Sequence, residues 1–383
     1  MHHTQISAQK RIFRGPSSTQ TQQQFFFSER TLYLDHLSVS QRERLKIVSE
    51  ANLEVFRPML LKAIEKDRVE RKGKSDESLS LRGRRPMDPV LMLRCLCLQR
   101  YYNQSDDEFA ATLMTNLLVQ DCLSISSPKE LPKAKTLWKY REIFAKHGIF
   151  QSMLDAQIKE QTAKVESAAP GLSKRTITID ASFVEAPKQR NSREENALIK
   201  AGRGHELWPN QPNKKRHKDI DASWTKKHGK TYYGYKAHVA ICTATGLVIG
   251  LNTTTAKVHD AKIGPDMVSQ LRPTGMVLAD AGYLGLRMRD AITACGAVPM
   301  IAEKPSTVKK FDGKLGNELM RRRNKIIASA RCRIEHIFGY VENTLKGSTV
   351  RSVGMVRAEA NINLTFWLYN RHCWRLLSVS PSQ

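Results

Sequence analysis

Three acidic residues, Asp180, Asp280 and Glu335, stand at places where carboxylates could do chemistry together. Asp180 interrupts Thr176 to Phe183, a stretch that alternates with period two. Ile177, Ile179, Ala181 and Phe183 share one face of the expected strand, and Asp180 lies on the other. Asp280 follows Met276-Val277-Leu278-Ala279, a short buried strand, at the carboxyl end where ligands of such sheets gather. Glu335 belongs to a long helix expected over 318–345, whose apolar stripe is Leu319, Ile327, Ala330, Ile334, Phe338, Val341 and Leu345. Carboxylates from three separate elements make the all-oxygen donor set that Mg²⁺ takes. Two such ions about 3.5–4 Å apart activate a water or a 3′-hydroxyl at a phosphodiester and stabilise the leaving oxygen. Spacing alone leaves another reading open, since the chain holds 37 Asp+Glu and most acids are solvated or cap helices.

The elements that must position these residues fall into two classes. Residues 1–30 form a polar, Gln/Ser/Thr-rich arm, and 31–165 read as all-helical. Ser40-Gln41-Arg42-Glu43 is a capping box opening a helix to about Arg71, and 72–86 is a charged linker. Asp88-Pro89 opens a buried helix to Tyr102, and Ser105-Asp106-Asp107-Glu108 opens the next. A further helix over 136–146 is closed by Gly148, and 136–148 is the choice for a segment reading DNA within a helix-turn-helix. From 170 to 350 the order is strand, basic insertion (187–230), hairpin, helix, strand, helix, strand, long helix. That is a mixed-sheet α/β domain in the ribonuclease-H-like order, followed by a C-terminal helix within 351–383.

Charge points to the partner. Lys+Arg is 62 against Asp+Glu 37, a net +25. The insertion 187–230 carries 12 Lys/Arg against 5 Asp/Glu, and 301–350 carries 11 against 5, so about half the excess brackets the three acids. A polyanion, nucleic acid first, is the fitting partner. No stretch reaches the ~18 apolar residues of a membrane span, and the N-terminus lacks the apolar core of a signal peptide. Seven scattered Cys read as reduced thiols, with no second pair beside Cys332 and His336 to complete a zinc site. A cytoplasmic protein, nucleoid-associated when on DNA, is expected.

Ordered motifs narrow this further. Gly83-Arg84-Arg85-Pro86, Tyr101-Tyr102-Asn103-Gln104-Ser105-Asp106 and Thr136-Leu137-Trp138-Lys139-Tyr140-Arg141 come first. Ile179-Asp180-Ala181-Ser182 with Val184-Glu185-Ala186-Pro187, Trp224-Thr225-Lys226-Lys227, Gly234-Tyr235-Lys236-Ala237-His238 and His259-Asp260 follow. Ala279-Asp280-Ala281-Gly282-Tyr283 and Arg331-Cys332-Arg333-Ile334-Glu335-His336-Ile337-Phe338-Gly339 close the series. From Gly83 to Arg375 the chain resembles the DDE-type transposases of bacterial insertion sequences, the group often called IS-five, kin to IS-four.

The resemblance implies a ribonuclease-H-like core with Asp180, Asp280 and Glu335 as catalytic metal ligands for Mg²⁺ (or Mn²⁺), with two ions. It implies cleavage at the element's terminal inverted repeats and joining of the freed 3′-hydroxyls to target DNA, without a covalent enzyme intermediate. Two ends require a homodimer or higher assembly on DNA. No small-molecule substrate and no membrane enter. The third motif departs from the family pattern, with Ala328 at the usual Tyr and Glu342 at the usual Lys. Glu342 is thus a rival to Glu335, and Lys346, on the same helical stripe as Arg331 and Glu335, is the substitute for the Lys. Arg331, Lys346, Lys236, Lys226 and Lys227 are expected to hold DNA, with His238, His259 and Asp260 as support. Two other readings remain open: an immobile nuclease of the same fold, and a DNA-binding protein of transposase descent whose catalysis has lapsed.

Overall fold

The computed structural model describes residues 45–72, 86–125, 127–227, 229–308 and 314–379. The arm 1–30, the Ser40–Glu43 capping box, nearly all of the 72–86 linker and its Arg82, Arg84 and Arg85 lie outside the described residues. The chain divides into two compact units, 1–153 and 154–383.

The first unit is helical. Residues 45–49 are helical, and after a 3₁₀ turn the chain continues as α1 (Arg57–Lys72). The single helix expected to Arg71 is therefore interrupted. Pro58 offers no amide hydrogen and its ring clashes with a preceding helical turn, so a new helix has to begin there. Then come α2 (Pro89–Tyr102), α3 (Asp106–Thr115), α4 (Leu117–Cys122) and α5 (Ala134–Lys146). Asp88 caps α2 by accepting from Val90 N and Leu91 N at 2.8 and 3.0 Å, and Ser105 and Glu108 complete a capping box on α3. α2 is buried almost all round, which is why its sequence shows an apolar run rather than a stripe.

The unit boundary falls inside α6 (Ile149–Ala168). After the short α7 (Leu172–Arg175) the second unit builds one sheet from β1 (Thr176–Glu185), β2 (Ser223–Lys227), β3 (Lys230–Cys242), β4 (Val248–Thr255), β5 (Met276–Ala279) and β6 (Val298–Ile301). β1, β5 and β6 run parallel, and β3 lies antiparallel to β1. β3 pairs with β2 through residues 230–234 and with β4 through 235–241. The order β4-β3-β1-β5-β6 is the ribonuclease-H-like sheet. The insertion, which shows little periodicity, folds as α8 (Arg193–Lys200), α9 (Pro212–His217) and β2.

Between the strands run α10 (Asp260–Leu271) and α11 (Leu286–Ala294), and after them α12 (Pro305–Val308), α13 (Lys314–Asn343) and α14 (Met355–Val379). Ile177, Ile179, Val277 and Ala279 form the core with Met267, Val268, Met288 and Ile292 of α10 and α11. Each fully buried branched side chain contributes about 1.5–3 kcal/mol relative to exposure. α13 packs on β1 and β5 and buries Ile327, Ile334, Ile337 and Val341 at helical spacing. No helix of the described residues is long and apolar enough to cross a membrane.

Candidate active site

β1 and β5 are parallel neighbours, with Thr176, Ile177 and Thr178 opposite Met276, Val277 and Leu278. The same register carried two residues further sets Asp180 level with Asp280. The alternation that buries Ile177 and Ile179 turns Asp180 to the other face, where α13 lies. There the Arg331 Nη2 meets Asp180 Oδ2 at 2.5 Å, with both side chains largely buried. Burial pushes the Asp180 carboxyl above the usual carboxylate range. Arg331 opposes the rise, and the charge of Asp280 adds to it.

Asp280 ends β5 and caps the 3₁₀ turn Ala281–Tyr283, accepting from Gly282 N at 2.8 Å. A Cβ on Gly282 would stand 2.9 Å from Asp280 Oδ1 and 3.5 Å from Asp260 Oδ2. The two carboxylates therefore flank the same point, and only glycine leaves it open. Asp260 opens α10 behind the His259 cap, whose Nδ1 accepts from Ala261 N. Lys236 Nζ binds Asp260 Oδ1 at 2.9 Å and Val258 O at 2.7 Å.

His238, wholly buried two residues along β3, has Nε2 2.9 Å from Thr254 Oγ1 and Nδ1 3.8 Å from Asp260 Oδ1. Which of His238 Nε2 and Thr254 Oγ1 donates depends on the ring tautomer, and the Thr254 hydroxyl also reaches Thr255 O at 3.2 Å. Burial pulls the His238 pKa down to about 4 against the charge of Asp260, which keeps the ring neutral at pH 7.

The remaining residues singled out from the sequence lie elsewhere. Glu335 is exposed, one turn beyond Arg331 on α13. Arg331, not Glu335, is the α13 side chain that reaches Asp180. Glu342 is also exposed. α13 ends at Asn343, so Lys346 does not continue its stripe. Lys346 is left-handed at φ 50°, and Gly347 N closes the helix end onto Val341 O. Lys226 and Lys227 are exposed on β2, and the Lys227 ammonium lies 5.9 Å from the centre of the Phe183 ring. Lys236 is turned inward onto Asp260, which removes it from the surface. Sequence reasoning gave no role to Tyr283. Its ring is buried against Gly264 and Met288, and the signal was its place three residues after an acid that ends a strand.

Two aligned carboxylates with a cation already lying on one of them form a place for hard, positively charged ligands. The oxygen-only donor set suits a divalent ion. Among the described residues, however, no three His, Cys, Asp or Glu side chains converge closely enough to hold one.

Residues 171–371 match the family described as the transposase DDE domain. The chain belongs to the DDE transposase family. Residues 48–142, in the helical unit, match a second model described as Transposase domain (DUF772). DDE transposases generally use divalent metal ions. A solved structure, the Mos1 transposase paired-end complex with left transposon end, is 10% identical and aligns over 74% of this chain and 98% of its own. The TM-score of that alignment is 0.18.

Proposed function

We propose that this DDE transposase binds the terminal inverted repeats of its element, cuts the DNA there and joins the freed 3′-hydroxyls to target DNA. The observation that carries this is the level placement of Asp180, midway along β1, and Asp280, just past the end of the parallel β5, inside a strongly basic unit. Asp180, Asp280 and Glu335 are the residues that would hold Mg²⁺ or Mn²⁺, one or two ions. The ions would activate the attacking water or 3′-hydroxyl and stabilise the leaving oxygen.

The protein's own groups do the rest. Arg331 holds Asp180, and Glu335 stands exposed one turn further along the same helix. A guanidinium released beside a scissile bond is placed to take a phosphate oxygen with paired donors. Lys226, Lys227 and Lys346, exposed on β2 and beyond α13, hold the backbone further out. Within 136–148, the exposed Trp138 and Lys139 of α5 would read the repeats. Two ends cut together require at least two copies of the chain on DNA.

The test is a labelled duplex carrying the element's ends, incubated with Mg²⁺ beside Glu335→Gln and Glu342→Gln. Cut and joined products from the unmutated chain, lost in Glu335→Gln and kept in Glu342→Gln, are expected. Cutting without joining would favour an immobile nuclease. Binding without cutting under every metal would mean lapsed catalysis.

A further inference from the structure

The hairpin of β2 and β3 carries more positive charge than nearby carboxylates answer. β3 pairs with β1 only from Gly234 onward, and residues 230–233 pair with β2 alone. A two-stranded ribbon is marginally stable by itself in water, so it needs an anchor. Tyr232 supplies one, since its ring stacks on Phe183 of β1 at 4.3 Å with 15° between the planes.

At the end of the ribbon Lys227 and Lys230 stand directly opposite each other, and the chain joining them passes through Gly229, left-handed at φ 78°. Like charges opposed across an antiparallel pair repel. Both side chains are exposed. Glu185 Oε1, 4.0 Å from Lys230 Nζ, is too far to hydrogen-bond, and Lys227 has no carboxylate partner among the described residues. The rings hold the charges instead. Lys230 Nζ lies 5.0 Å from the centre of the Tyr232 ring, and Lys227 Nζ 5.9 Å from the centre of Phe183. At that range an ammonium is drawn to the face of a ring. Lys236 Nζ is also near Phe183, at 5.2 Å, but it is already bound to Asp260 and Val258 O. Two ordered ammoniums that repel each other and lack carboxylates make a site for an anion. Phe183 shares its face of β1 with Ile177 and Ile179, opposite Asp180, and lies about 10 Å further along the strand. The site therefore stands beside the acidic pair and not on it.

We propose that Lys227 and Lys230 form a clamp for the phosphates of a DNA backbone, and that Phe183 and Tyr232 are positioning residues that hold both ammoniums ready for it. The sequence marks Lys227 for DNA, but neither Lys230 nor the two rings. A phosphate between the ammoniums removes their repulsion, and side chains ordered beforehand spare the cost of ordering them on binding. Phosphates carry no base identity, so the clamp grips any sequence. The inference rests on the reading of the chain as a transposase that binds DNA, and its test needs no cleavage.

The full-length chain is titrated across a range of salt with a labelled duplex carrying the element's ends and with an unrelated duplex of equal length. Lys230→Ala removes one phosphate contact and should lower the slope of log K against log salt by ~0.9 on both duplexes, and Lys230→Arg should keep it. Tyr232→Leu keeps every charge, so the slope should hold while affinity falls roughly two- to tenfold, and Tyr232→Phe should restore it. An unchanged slope in Lys230→Ala would overturn the clamp, as would a loss confined to the element-end duplex or a fall in melting temperature that matches the loss of binding. Full affinity in Tyr232→Leu, or an equal loss in Tyr232→Phe, would overturn the role of the rings. Where Tyr232→Leu fails to fold, the Lys230 variants still decide the clamp and Tyr232→Phe the ring. If the unmutated chain binds both duplexes but never cuts, the proposed function fails, and the salt slopes still decide this inference.

Discussion

At Gly282 the backbone passes so close to Asp280 that a single methyl group would touch its carboxylate. Gly282→Ala should therefore displace Asp280 without disturbing the core. Misplacement near 1 Å costs roughly 100-fold in rate, so single-turnover cleavage should fall by about that factor while the melting temperature holds. Unchanged cleavage would show that Asp280 does not need this geometry. His238 gives a pH signature. In the unfolded chain it takes a proton near pH 6.5, and in the fold only near 4. The fold thus keeps the stability of the neutral ring above 6.5 and loses it as pH falls from 6.5 toward 4, about 3 kcal/mol in all. Urea unfolding at pH 7 and pH 5 should show a steeper loss for the unmutated chain than for His238→Gln. Equal slopes would contradict the buried neutral ring. Asp180 was legible because alternation exposes a polar residue within a β-branched run, and Asp280 because it ends one. The inward turn of Lys236 was not legible, since its partner Asp260 is 24 residues away and meets it only once α10 is laid on the sheet.

Among the elements, the basic insertion is held by one buried acid. Asp219 accepts from Tyr235 Oη at 2.7 Å, Gly354 N at 3.1 Å, Ala222 N at 2.8 Å and Asp221 N at 3.0 Å. It ties the insertion to β3 and to the segment leading into α14. Asp219→Ala leaves those donors unmatched and should cost about 3 kcal/mol or more in urea unfolding. A loss below about 1 kcal/mol would mean water replaces it. Gly234 marks a similar tie. Its φ is 146°, and a Cβ there would stand 2.3 Å from Val184 O, so β3 can close on β1 only with glycine. The strands and helices of 176–379 were readable from period and caps. The short β2 and the helices of the insertion were not, because five to eight residues rich in Lys and Arg carry no stripe. On α13, periodicity gave the helix but not which polar side chain meets β1: Arg331 and Glu335 are one turn apart and share a face.

For the molecule as a whole, a net charge of +25 makes DNA affinity a matter of counterion release. Each phosphate contact adds ~0.9 to the slope of log K against log salt. Lys226→Ala with Lys227→Ala should lower that slope by roughly 2, whereas Lys236→Met, which removes an ammonium already bound to Asp260, should leave it alone. The reverse result would place DNA on the other side of β3.

The central claim is that Asp180, midway along β1, and Asp280, level with it just past the end of β5, are the reacting centre of a DNA transposase. The most direct measurement is Mg²⁺-dependent cutting of a labelled element-end duplex by Asp180→Asn and Asp280→Asn beside the unmutated chain, with end binding measured on the same preparations. The account predicts no detectable cutting by either variant and end affinity within about twofold of the unmutated chain. Cutting that survives in either variant would contradict it.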